Sequence, residues 1–398
     1  MRTIEKSDIL QRANLLKDKL IEFRQHLHSH PELSFKESNT HDFIYKELSN
    51  LNCRIKKNIA GTGLTAEFGE RGKTVIIRAD MDALPISEEN KKPYASTCPG
   101  VMHACGHDVH MSCALGAALL LSESPPSKGC VRILFQPAEE AVNEEGKGGA
   151  AKVIEAGATS GAAAAFALHV WPGLPTGKIG VREGALLAAC ESFEITIRGT
   201  GAHGARPEDG IDPVVLSAHV ITAMQQVISR RKSALSPAIL TVGGIKSSSY
   251  APNVIPSEVS LTGTLRYFDP DLQEILHKEL ENACRIAEVL GGSFSINYSF
   301  DAPALKNNAE LTEIVKRSTK KLLGEDALIE VPQAMGAEDF AFISDSMPSS
   351  FFLLGTEIEG SPRTLHSPTF DINENALPIG AAMLTEAALS YLDESKSN

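Results

Sequence analysis

No stretch of this sequence is long and apolar enough to span a bilayer. Its most continuous hydrophobic runs, such as residues 162–170, are strand-sized, whereas a spanning helix needs about 20 apolar residues. Residues 1–20 interleave charged with apolar side chains, which argues against a signal peptide or a membrane anchor there. Low-complexity tracts are absent, so nothing points to disorder. Basic charge is in deficit: 38 Lys and Arg stand against 50 Asp and Glu, a formal net charge of −12. Nucleic acid is a poor partner for such a surface, because phosphate binding needs a basic footprint. Lys56 with Lys57, and the run 230–232, are short and read as solvated faces. Cysteines number seven, an odd count without regular spacing, so a disulfide framework is not expected. What remains is a soluble protein of a reducing compartment, with a cytoplasmic location expected.

At 398 residues, 42% of them hydrophobic, the chain has material for real cores and exceeds what one core usually covers. Helical spacing of Ile9, Leu16, Leu20, Phe23 and Leu27 predicts a helix over 8–28, with a second over 36–48. Strand-like runs at 64–68, 74–78, 131–135 and 162–170 are separated by helices at 111–121 and around 149–156. Strands buried on both faces with helices between them indicate an α/β layered domain around a central mixed sheet. The middle of the chain differs. Strands at 192–198, 238–245, 258–267 and 293–300 and helices at 213–228 and 272–290 follow the order β-α-β-β-α-β, a ferredoxin-like split unit. The expected organisation is a larger α/β domain over 1–188 and 301–398, interrupted by a ferredoxin-like domain over 189–300.

Four polar segments stand at strand-to-loop positions of the first region. They are Arg78-Ala-Asp-Met-Asp-Ala-Leu-Pro85, His103-Ala-Cys-Gly-His-Asp-Val-His110, Gln136-Pro-Ala-Glu-Glu140 and Leu168-His169-Val-Trp-Pro172. Open α/β sheets bind ligands outside the carboxyl ends of their strands, so four such segments imply one shared site. Cys105, His107, Glu140 and His169 supply thiolate, imidazole and carboxylate, the donor types of zinc and neighbouring transition metals. The adjacent carboxylates of Glu139 and Glu140 point different ways, so one can bind metal while the other faces the reacting water. A cation also explains how two neighbouring negative charges are tolerated. A metal that lowers the pKa of bound water, with a Glu accepting the proton, makes amide hydrolysis feasible at neutral pH.

Taken singly, each feature has a duller reading. A Glu-Glu pair is ordinarily solvated, a lone Cys105 an inert buried thiol, and His169 a hydrogen-bonded core histidine. His26, His28, His30 and His41 read as surface residues of polar helices, and His219 and His277 carry no signal beyond their helices. The combination at strand ends favours the metal.

These motifs resemble the amidohydrolase branch of the aminoacylase and acetylornithine deacetylase metallopeptidases, which includes hippurate hydrolase, N-acyl-amino-acid deacetylases and auxin-conjugate hydrolases. The likeness rests on residues 78–85, 102–108 and 135–140. Further matches lie at 28–34, 201–207, 253–256, 336–340 and 365–368, in the expected order over nearly the whole chain. The resemblance implies a catalytic domain interrupted by a lid that dimerises. It implies two divalent ions (Zn, Mn, Co or Ni) on Cys105, His107, Glu140, His169 and His366, with Cys105 as a bridge. Glu139 becomes the general base and Asp82 a carboxylate that orients a ligand. His203 becomes the oxyanion donor, from its own subunit or a partner, and Asn253 and Arg266 the grip on the substrate carboxylate.

Two positions depart from the wider superfamily. Asp80-Met81-Asp82 stands where relatives carry His-x-Asp, with His107 the natural replacement ligand, and Glu208 stands where many carry histidine. The expected activity is hydrolysis of N-acyl-L-amino acids. Rival readings are a dipeptidase or carboxypeptidase using the same site, a cysteine hydrolase with Cys105 as nucleophile, and a dimeric binding protein that kept the fold.

Overall fold

The computed structural model describes residues 9–394. Asp8, where the sequence starts the first helix, and part of the 1–20 segment lie outside the described residues. The chain divides into two compact units. One runs to Leu186 and resumes at Lys306–Pro332 and from Asp339 onward, while the other comprises Leu187–Leu305 with Gln333–Glu338.

The larger unit is built on an eight-stranded mixed sheet. Its order is Arg54–Ile59, Gly63–Gly69, Cys130–Gln136, Thr74–Asp80, Ala162–Trp171, Ser349–Gly355, Ile179–Val181 and Leu328–Glu330. Cys130–Gln136, Thr74–Asp80, Ala162–Trp171 and Ser349–Gly355 run parallel, so the first three deliver their C-terminal residues to one edge. Every residue of Thr74–Asp80 and Ser349–Gly355 is buried, as expected of strands covered on both faces. Helices Lys17–Ser29, His107–Glu123 and Ala376–Glu394 contribute Leu20, Phe23, Val109, Leu115, Leu377 and Leu384 to the same core.

In the smaller unit, strands Ala189–Arg198, Ala238–Ser247, Glu258–Tyr267 and Ser293–Ala302 form an antiparallel sheet in the spatial order second, third, first, fourth. Helices Pro213–Arg230 and Asp271–Cys284 connect them, which is the ferredoxin-like split arrangement. Phe193, Ile195 and Ile197 alternate inward and pack with Val220, Met224, Leu276 and Leu280.

Three helix expectations are corrected. The helix over 8–28 is two, Ile9–Leu15 and Lys17–Ser29, because Leu16 N–H turns to the Ala13 carbonyl at 3.1 Å and tightens the chain. The helix over 272–290 likewise breaks at Arg285 into Asp271–Cys284 and Ile286–Val289. The helix over 111–121 starts at His107 instead, after Gly106 takes φ 89°. A Cβ at Gly106 would sit 2.4 Å from Val170 Cγ2, so both the turn and the packing require glycine. No helix among the described residues is long and apolar enough to cross a membrane.

Candidate metal centre

The strand Thr74–Asp80 leads into a turn that carries Asp82, and Cys130–Gln136 leads into Pro137-Ala138-Glu139-Glu140. Ala138 has φ 52°, a left-handed conformation uncommon for alanine. Both its peptide groups are tied down: its N–H donates to Glu37 Oε1 at 2.9 Å, and its carbonyl accepts from Gly149 N–H at 2.8 Å. Asp82 completes the turn, its two oxygens accepting the Glu139 and Glu140 N–H groups at 3.0 and 2.9 Å. Ser34 Oγ donates to Asp82 as well, at 2.6 Å.

Three imidazoles converge on this turn. His107 Nδ1–H donates to the Asp82 carbonyl at 2.8 Å, which turns Nε2 towards Glu140 Oε1, 3.8 Å away, and Glu139 Oε2, 4.0 Å away. His169 Nδ1–H donates to the Val170 carbonyl at 2.8 Å and presents Nε2 to Cys105 Sγ at 3.4 Å. His366 also has left-handed backbone, φ 58°, held by its N–H on the Ala104 carbonyl at 2.8 Å. Its Nε2 lies 3.3 Å from Cys105 Sγ and 3.5 Å from Glu140 Oε1. The donors form two sets that meet at one thiol: Cys105 with His107 and His169, and Cys105 with Glu140 and His366, each set within 4.8 Å.

A divalent ion fits these donors on a second ground. His107 Nε2 and Glu140 Oε1 are buried with no hydrogen-bond partner, a state that costs free energy unless something electropositive meets the lone pairs. Electrostatics agrees. Burial alone lowers an imidazolium pKa, yet Asp80, Asp82 and Glu140 outweigh it and raise His107 to about 10. The cluster is therefore short of positive charge. Burial, then Glu140, Glu139 and Asp80, push the Cys105 thiol well above its usual range. Burial holds the His169 imidazolium well below its own. A thiol so placed, beside a histidine so reluctant to take a proton, is a poor nucleophile. A cation reverses the balance and makes it a thiolate ligand.

The sequence missed the frame beneath these donors. Asp80 lies between Arg78, whose NH1 donates to Oδ2 at 2.6 Å, and His110, whose Nδ1–H donates to Oδ1 at 2.7 Å. Arg78 also reaches Asp339 Oδ1 at 2.6 Å, and the Asp339 N–H lies 3.3 Å from Glu139 Oε1. The signal was the i, i+3 spacing of His107 and His110, visible only once the helix starts at 107.

His28 and His41 are buried, against the surface reading, while His26 and His30 are exposed as expected. His28 bridges Asp108 Oδ2 at 2.8 Å and Glu88 Oε1 at 3.2 Å. His277 has more than its helix: it bonds the buried Glu191 and stacks on Tyr298 at 3.8 Å between centroids.

The structure thus gathers Asp82, Cys105, His107, Glu139, Glu140, His169 and His366 in the larger unit. His203, Asn253 and Arg266 belong to the smaller one. There His203 is exposed and pairs with Val254 in a two-stranded ribbon, and Gly204 N–H donates to the Asn253 carbonyl at 2.8 Å. Arg266 lies at the other end of the long strand, opposite Cys190, with NH1 2.6 Å from Cys190 Sγ.

Residues 76–390 match the family described as Peptidase family M20/M25/M40. The N-acetyl-L-cysteine deacetylase of Bacillus subtilis is 38% identical over 390 residues, covering 96% of this chain and 90% of that protein. An IAA-amino acid hydrolase of Arabidopsis thaliana, ILR1-like 2, is 36% identical over 387 residues, covering 96% and 87%. Among solved structures, the Bacillus subtilis YXEP protein, a dinuclear metal binding peptidase from the M20 family, superposes with a TM-score of 0.82 at 32% identity, covering 96% of this chain and 99% of that one.

Proposed function

The chain belongs to peptidase family M20/M25/M40 and is a metal-dependent hydrolase of linear amides, and from that premise we propose that its substrates are N-acyl-L-amino acids, cleaved to an amino acid and a carboxylic acid with Glu139 as general base. The observation that carries this reading is the meeting of two donor sets at Cys105 with the Glu139 carboxylate at their edge. Cys105, His107, Glu140, His169 and His366 would hold two divalent ions. The thiolate, imidazole and carboxylate donors suit Zn, Mn, Co or Ni. When bound, such ions acidify water and polarise a carbonyl.

Glu139 carries the proton traffic. Its Oε1 faces the Asp339 N–H at 3.3 Å, which leaves Oε2 on the side of His107 and the donor sets. There it takes the proton of the attacking water and returns it to the leaving nitrogen. Asp82 keeps Glu139 and Glu140 in their different orientations by gripping both peptides. His203 donates to the oxyanion of the tetrahedral intermediate, and Asn253, which lies beside His203, and Arg266, at the far end of the long strand and therefore from the other subunit, hold the carboxylate of the amino-acid part.

The amino-acid half is the constant element of the proposal. One relative is named for N-acetyl-L-cysteine and another for IAA-amino acids, so both names carry an amino-acid half. The reading includes a homodimer formed through the smaller unit, in the cytoplasm. A panel of acetyl-, benzoyl- and indoleacetyl-amino acids alongside dipeptides, with detection of the free amino acid, tests the assignment. Release from the acyl series is expected. Turnover confined to dipeptides overturns it in favour of a dipeptidase.

A further inference from the structure

His110 lies within reach of the same donor cluster as His107 and Asp80, yet both of its ring nitrogens are engaged by protein. Nδ1–H donates to Asp80 Oδ1 at 2.7 Å, and Nε2 accepts the Val170 N–H at 3.0 Å. That fixes a neutral ring in one tautomer and removes His110 from the set of ligands. The Val170 peptide carries the arrangement onward, because the Val170 carbonyl is the acceptor for His169 Nδ1–H at 2.8 Å. His110 also packs edge-on against His169, with ring centroids 4.6 Å apart at 65°. Asp80 is itself held from its other oxygen by Arg78 at 2.6 Å, and Arg78 by Asp339 at 2.6 Å. All of these residues are buried.

We propose that His110 is a positioning residue that aims His169 Nε2 at the metal centre through the Val170 peptide. The inference rests on the reading of His169 as a ligand. A His ligand needs its second nitrogen pinned, or the ring rotates and its tautomer drifts. His169 finds that pin in a carbonyl of its own strand, and a backbone carbonyl holds direction only if its peptide does. His110 supplies the hold. This gives Asp80 a use as well: where relatives place a ligating histidine, this chain has a carboxylate that orients one ligand from a distance.

The test separates the two bonds of His110. In His110→Gln the longer side chain presents its amide oxygen to the Val170 N–H and gives up Asp80. In His110→Asn the shorter one keeps Asp80 and gives up Val170. Full-length protein stripped of metal and titrated with cobalt(II), followed by the thiolate-to-cobalt absorption of Cys105, reads the affinity directly. His110→Asn is expected to lose about 10–100-fold in cobalt affinity, the usual cost of removing an outer partner of a ligand. His110→Gln is expected to stay close to wild type. A role in packing alone would not rank the variants this way. Wild-type affinity in His110→Asn, or equal losses in both variants, overturns the proposal while leaving the metal reading intact. A wild-type chain that takes up no cobalt overturns both. Should the variants not fold, histidine 15N spectra of the metal-stripped wild type decide: His169 is expected with its proton on Nδ1, and a proton on Nε2 overturns the proposal.

Discussion

Asp82 grips Glu139 by the backbone: the Glu139 N–H donates to Asp82 Oδ1 at 3.0 Å, and the Glu140 N–H donates to the other oxygen at 2.9 Å. One buried carboxylate therefore sets the directions of both acidic side chains. Replacing it by asparagine keeps one acceptor and sets an amide donor against the other N–H. Asp82→Asn should cut turnover by about 10–100-fold, in line with other changes behind a metal ligand. Steady-state kinetics beside metal analysis checks this, and turnover equal to wild type would remove Asp82 from the positioning role.

Adjacent residues with separate duties make a sharp pair of variants. Glu139→Gln should retain both ions and lose about 10²–10⁴ in turnover, the usual contribution of a general base. Glu140→Gln should lose metal, since Glu140 Oε1 is the buried unpartnered oxygen that faces His366 and His107. Metal content by plasma emission, read beside turnover, distinguishes them. The opposite pattern would exchange the two assignments.

Removal of metal should abolish activity, and Zn, Mn or Co should restore it. Burial and the carboxylates of Glu140, Glu139 and Asp80 keep Cys105 protonated without a cation, so no thiolate stands ready to replace the ions. Turnover undiminished in a chelated sample would return Cys105 to consideration as a nucleophile.

The candidate donors were legible because they follow from residue type at strand ends: Cys105, His107, Glu140 and His169 stand out by what they are, and the fold gathers them. The resemblance added His366. The frame was not legible. His110 orients His169 through the peptide of Val170, a relation that exists only once the helix and the strand lie side by side. His28 looked like a surface residue because its partners Asp108 and Glu88 are distant in sequence. Periodicity found the split β-α-β-β-α-β order, but it missed the break at Leu16, where the N–H bonds the carbonyl three residues back.

Arg24 belongs to that hidden frame. It is fully buried, donates to Asp108 at 2.9 Å and Asp371 at 2.9 Å, and lies 3.3 Å from Glu374. Arg24→Leu leaves Asp108 and Asp371 buried without the guanidinium they share. Breaking such a group from one side typically costs about 3–5 kcal/mol. Urea unfolding at neutral pH should show a loss of that size, and a loss below about 1 kcal/mol would mean that other donors, such as His28, already compensate Asp108.

His203 and Arg266 give the last prediction. They sit towards opposite ends of the smaller unit: Glu258 pairs with Arg198 at one end of the long strand, Arg266 pairs with Cys190 near the other, and His203 follows beyond the Arg198 end. Eight residue steps of strand lead from Glu258 to Arg266, about 26 Å at ~3.3 Å per step. A single small N-acyl amino acid does not bridge that distance, so if both side chains serve the reaction, two subunits must share each site. His203 is exposed, with Nδ1 accepting the Ala205 N–H at 3.0 Å, which leaves Nε2 outward as the donor. His203→Ala should keep both ions and lose about 10²–10³ in turnover, the cost of one oxyanion donor. Mixing it with Glu139→Gln then separates the arrangements. If His203 acts across the dimer, each mixed dimer contains one site with an intact base and an intact donor, and part of the activity returns. If it acts within its own subunit, both sites of the mixed dimer stay defective and none returns. Turnover equal to wild type in the His203→Ala single variant would take His203 out of the reaction.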